Sequence, residues 1–182
     1  MSKNGLILLT PTSVDHTGTS ATISANGSVL FTACSELRLN DVFSADYDNY
    51  MIVMRQSATV DISARIRLSS GGVDNATASS WVHQYLFASG GTLDAFRTTT
   101  NYGVIASRGN GQRAGSVTHI YGPYLAQPTA YRSVYADDYL SAAVTDFAGT
   151  HNQSVSYDGF SWHTGNASYT FTGRIAVYGM RK

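Results

Sequence analysis

The chain has 182 residues, of which 43 % are hydrophobic and only 13 % charged, and its formal net charge is zero. Zero net charge gives no electrostatic basis for binding nucleic acid or an anionic membrane surface. The single cysteine, Cys34, excludes an internal disulfide and a cysteine-built zinc site.

The length suits one domain with room for a substantial core. Glu36 is the single glutamate, and Lys3 and Lys182 are the only lysines. Both residue types populate helix surfaces, whereas the abundant Thr, Ser, Val, Tyr and Gly suit strands and tight turns. The composition therefore predicts an all-β protein. The short apolar run at the N-terminus is too brief for a signal-peptide core or a membrane span, and a cytosolic compartment is the simplest expected place of assembly.

In chain order, Leu6, Ile7, Leu8 and Leu9 form a first short strand. Pro11 and the polar run through Ser20 interrupt it. Residues 1–19 thus read as an N-terminal arm, or an edge strand with a linker, ahead of a single β-sandwich domain over residues 20–182. Asn26-Gly27 between Ala21–Ser24 and Val29–Ala33 signals a hairpin, because both residues tolerate positive φ.

The most regular stretch is Leu39–Ser69. Val60, Ile62, Ala64, Ile66 and Leu68 alternate with Asp61, Ser63, Arg65 and Arg67, a period of two with one buried and one wet face. Tyr50–Met54 is apolar on both sides, as a central strand covered on both faces would be. With a short polar turn between them, the two runs predict a central hairpin.

Further strands are expected at Trp81–Ala88, around Leu93 and Ala95, at Tyr102–Ala106, Val117–Tyr121 and Tyr131–Tyr135, and at Val155–Tyr157, Phe160–His163 and Tyr169–Tyr178. Ser89-Gly90-Gly91, Asp158-Gly159 and Gly165-Asn166 mark turns between some of them. Asp138–Phe147 is open between a strand and a short helix, since Leu140, Ala143, Val144 and Phe147 stand at helical spacing behind a possible Asp138 N-cap. About a dozen short strands at roughly ten-residue intervals predict an antiparallel β-sandwich or a jelly-roll-like fold.

Motifs for chemistry are weak. Asp46-Tyr47-Asp48-Asn49 imitates part of a calcium loop but lacks its glycine and its distal glutamate, so it reads as a turn into the central strand. The five histidines show no metal-ligand spacing, and no GxSxG elbow is present. Gly109–Ala114 matches a loose dinucleotide pattern but precedes a strand, not the helix such a site needs. No catalytic residue, cofactor or metal site is predicted. Tyr121, Tyr124, Tyr131, Tyr135 and Tyr139 lie close in sequence and suit an interface, or a sugar-stacking surface.

The segments PTSV (Pro11–Val14), SVLFTA (Ser28–Ala33), LNDVFSADYDNYMIVM (Leu39–Met54), PYLAQPTAYRS (Pro123–Ser133), DFAGTHNQSVSYDGF (Asp146–Phe160) and GRIAVYGMRK (Gly173–Lys182) carry a resemblance across nearly the whole chain. It resembles β-sandwich virion proteins of tailed bacteriophages, especially those of marine and cyanobacterial hosts. The resemblance implies a structural, non-enzymatic protein, commonly a homotrimer. It implies a capsid decoration (cement) protein bound to the major capsid protein, or alternatively a tail-fibre or tail-tip protein that recognises a host-surface glycan. The absence of a shaft, heptads or repeats favours decoration. Leu6, Ile7, Leu8, Leu9, Tyr121, Tyr124, Tyr131 and Tyr135 are then the expected interface residues.

Overall fold

The computed structural model describes residues 5–58, 60, 62–89, 91–106, 113–137 and 143–181. Among them the chain is all-β and contains no helix. Its strands are Leu6–Leu9 (β1), Ser13–Ile23 (β2), Val29–Asn40 (β3), Tyr47–Ala58 (β4), Ala64–Ser70 (β5), Val73–Asp74 (β6) and Trp81–Ser89 (β7). They continue as Thr92–Thr100 (β8), Gly103–Ala106 (β9), Arg113–Tyr121 (β10), Thr129–Asp137 (β11), Ala143–His151 (β12), Gly159–His163 (β13) and Phe171–Arg181 (β14).

All pair into one strongly curled antiparallel sheet, ordered β6-β5-β13-β3-β14-β4-β10-β11-β12-β7-β8, with β2 on β3, β1 on β14 and β9 on β5. The curl makes it sandwich-like. β9, hydrogen-bonded to β5, packs across the inner faces of β11 and β12, so one end of the sheet closes over the other. The core between them holds Tyr50, Ile52, Trp81, Ile120, Tyr131, Tyr135, Phe160 and Trp162, all essentially inaccessible. Burying one such side chain is worth about 1.5–3 kcal/mol.

The closure is polar as well as apolar. The Tyr131 hydroxyl accepts from Val104 N at 3.3 Å and donates to Val104 O at 3.2 Å. Ser133 Oγ donates to Ile105 O at 2.6 Å. Since that uses the Ser133 proton, Thr118 Oγ1 is the donor in its 2.7 Å contact with Ser133 Oγ. These bonds satisfy backbone groups of β9 that the layer above would otherwise bury unpaired.

Several expectations are met. Asn26-Gly27 turns β2 into β3, with Gly27 at φ 89°. β4 is a central strand between β14 and β10. On β5, Ala64, Ile66 and Leu68 are buried while Arg65 and Arg67 are half-buried.

Others are corrected. β4 and β5 do not form a hairpin: β5 pairs with β13, β6 and β9, while β4 pairs with β14 and β10. The chain between them crosses from one side of the curl to the other, and the strand begins at Ala64, not Val60. In the N-terminal segment β1 pairs with β14, as the edge-strand alternative has it, and β2 runs through residues 19 and 20 against β3 with a register shift at Thr17/Gly18. Ala143–Phe147 belongs to strand β12, not a helix; Asp138–Ala142 lies outside the described residues.

Asp46 lies in the turn ahead of β4, while Tyr47–Asn49 already belong to the strand, and Tyr50 holds the turn: its Oη accepts from Ser44 N at 2.7 Å and donates to Ser44 O at 2.8 Å. Its buried ring packs on Phe43 with centroids 4.6 Å apart.

Candidate functional site

Strand register creates two distinct surfaces at the β10-β11-β12-β7-β8 end of the sheet. On the inner side, cross-strand rows run Thr145–Phe87–Asp94 and Phe147–Tyr85–Phe96, followed by Gly149–His83–Thr98. β9 packs over the β11 and β12 ends of these rows and reaches β7 less closely. Beyond it the inner face opens, and burial falls from Phe147, which is fully buried, through Tyr85 to Phe96, which is 52 % exposed. A cleft of about 370 Å³ results, with Tyr102 and Ser63 on the opposite wall. That volume lies within the range of small-ligand sites.

The aromatic rings form a continuous patch: Tyr85 stands 5.7 Å from both Phe96 and Phe147, centroid to centroid. Polar groups punctuate it. His83 is 3 % exposed, and its Nδ1 finds no hydrogen-bond partner among the described residues; neither does Thr145 Oγ1. Burial lowers the His83 pKa, which keeps the imidazole neutral. Asp94 is then the one charged side chain among the described residues lining the cleft. Gly149 faces His83 across the strands. A Cβ there would meet Val82 O, and His83 Cβ at 2.8 Å, so the glycine lets β12 and β7 approach closely.

Tyr102 also borders a second, cationic pocket of about 460 Å³ that holds Arg65, Arg67 and His163. The Arg65 guanidinium lies over the Tyr102 ring, 4.3 Å from its centroid, and His163 stands edge-on to that ring at 6.2 Å. Burial, then Arg67 and Arg65, lower the His163 pKa to about 4. The two clefts thus share a wall but differ in charge.

The outer side of the same strands carries two mostly apolar rows beside a polar one, His119, Arg132, Ala148, Gln84 and Arg97. Val117, Val134, Asp146, Leu86 and Ala95 form one row. Gly115, Ala136, Val144, Ala88 and Leu93 form the next. Val144 is 51 % exposed and Leu93 71 %. The carboxylate of Asp146 is neutralised by Arg132, at 2.5 Å.

The residues expected at an interface are dispersed. Leu6 is exposed and Ile7, Leu8 and Leu9 are half-buried along β1, beside β14. Tyr121 and Tyr124 are partly exposed near the end of β10. Tyr131 and Tyr135 are core residues, because their strand turns odd-numbered positions inward under β9; they do not join Tyr121 and Tyr124 on a surface. Tyr139 lies outside the described residues. The cleft residues were not anticipated. Their signal was the alternation of His83, Tyr85 and Phe87 and of Asp94, Phe96 and Thr98, which sets aromatic and polar groups on one face.

No protein-family model matches the chain, and no curated protein matches it. Among solved structures it is similar to the binding domain of botulinum neurotoxin serotype G, with a TM-score of 0.28 and 9 % identity. The match covers 100 % of this chain and 45 % of that one. So weak a likeness carries no functional argument.

Proposed function

We propose that the chain is a structural, non-enzymatic component of a tailed-bacteriophage virion: a decoration protein that sits on the head shell as a homotrimer and contacts the major capsid protein. The observation that carries this reading is the outer face of β10-β11-β12-β7-β8. Two adjacent rows of mostly apolar side chains stand in water there, among them Val134, Leu86, Val144 and Leu93. The occupant proposed for this face is a second copy of the chain. The Arg132–Asp146 ion pair on this face is internally neutralised. The sequence resemblance to phage virion proteins supports the particle assignment.

A tail-fibre or tail-tip role in binding a host-surface glycan is the second reading, and the aromatic cleft favours it. Gold-labelled antibody on intact particles separates the two. Label over the head is expected; label confined to the tail overturns the decoration assignment in favour of the second reading. Deleting the first residues is a poor test, because β1 is hydrogen-bonded to β14 and its removal damages the sheet itself.

A further inference from the structure

We infer that the inner-face cleft formed by β7, β8 and β12 is a binding site for a short, uncharged saccharide. The cleft joins features that sugars require together. Tyr85 and Phe96 line an open cavity with ring centroids 5.7 Å apart, and aromatic faces pack against the apolar C–H faces of pyranoses. His83 Nδ1 and Thr145 Oγ1 are buried and unpartnered, and both residues line the cavity. Buried polar groups left without a partner cost free energy, and a hydroxyl-bearing ligand removes that cost. Asp94, Thr98 and Thr100 add acceptors and donors nearer the mouth, as hydroxyl recognition demands.

Other ligand classes fit less well. An acyl chain would cover His83 Nδ1 and Thr145 Oγ1 without pairing them. An anion would meet Asp94 and a neutral imidazole, with the arginines on the far side of Tyr102. A metal ion is not served, since no cluster of three or more His, Cys, Asp or Glu side chains occurs among the described residues. An extended peptide would bond to the free edge of β8, whereas the groups at issue point off the sheet's inner face.

This site stands on its own geometry, wherever on a particle the protein sits. Its failure would leave the assembly reading intact, and a tail label would leave the site intact.

The test is calorimetric titration of the full-length assembled protein with di- and trisaccharides of glucose, galactose, mannose and N-acetylglucosamine, beside their uronic-acid counterparts. Binding of at least one neutral saccharide is expected. Phe96→Ala should weaken it about tenfold, the loss of one aromatic stacking partner. Phe96 is half in water, so its melting temperature should stay at the wild-type value. Asp94→Asn should also weaken binding. The inference is overturned if no saccharide in the panel binds, or if Phe96→Ala binds like the wild type. It is equally overturned if only the acidic sugars bind and Arg65→Gln abolishes that binding, which would put the site behind Tyr102.

Discussion

The Tyr157 hydroxyl and His151 Nε2 share a hydrogen bond of 2.7 Å in the interior. Asn75 Nδ2 donates to the same hydroxyl at 2.7 Å. The His151 ring packs against Trp81 with centroids 4.8 Å apart. Burial lowers its pKa to about 4, against a smaller opposing effect of the Ser80 backbone.

Acid should therefore destabilise the protein well above the range where carboxylates titrate. Below about pH 6.5 the unfolded chain protonates its histidines while folded His151 and His163 do not, so stability falls as pH drops from about 6.5 towards 4. His83 is shifted in the same direction. Melting temperatures measured across this window should fall steadily. His151→Gln should flatten part of the fall.

The bonds that fasten β9 to β11 should act as a unit. Ser133→Ala removes the donor to Ile105 O and the acceptor of Thr118, and should cost about 1–3 kcal/mol in urea unfolding. Adding Thr118→Val should cost less than the sum of the single changes, because the hydroxyl removed has already lost its partner.

Gly149→Ala should destabilise by about 1–3 kcal/mol, since the added methyl meets Val82 O and His83 Cβ across the β12–β7 pairing. Because the same pairing positions His83, saccharide binding should weaken along with stability. Thermal melts and titration on one preparation would read both.

The outer face should govern association. Val134→Glu and Leu86→Lys place charges where the wild type has exposed apolar side chains, so the chain should stay folded while sedimentation shows the proposed assembly lost. Unchanged sedimentation would remove this face as the contact between copies.

Much of the fold was readable from residue order. Alternation from Ala64 to Leu68 told which side chains turn inward, and Asn26-Gly27 told where β2 reverses. Alternation says nothing about which strand lies alongside, and for that reason β4 and β5, consecutive in the chain, belong to different pairings. The cleft was harder to see for a related reason. Phe96, Asp94 and Thr98 share a face only by strand parity, and that β9 packs over β11 and β12 rather than over β8 is a fact of tertiary geometry. Tyr131 and Tyr135 misled because Thr129 and Ser133 between and beside them suggest a wet face, whereas Ser133 spends its hydroxyl on a buried backbone carbonyl.

The position of β14 sets a condition on biosynthesis. It lies between β3 and β4, strands made more than a hundred residues earlier, and β1 also pairs with it. Until residues 171–181 have been synthesised, β3 and β4 face an empty slot with their ladder groups unpaired, and β1 has no neighbour. A nascent chain can therefore form its local hairpins, β2–β3 and β7–β8, but cannot close the sheet. Closure waits on contacts of long sequence separation, which slow folding. A chain cut short at Thr170 would present two open strand edges to other copies, and aggregation would be its expected fate.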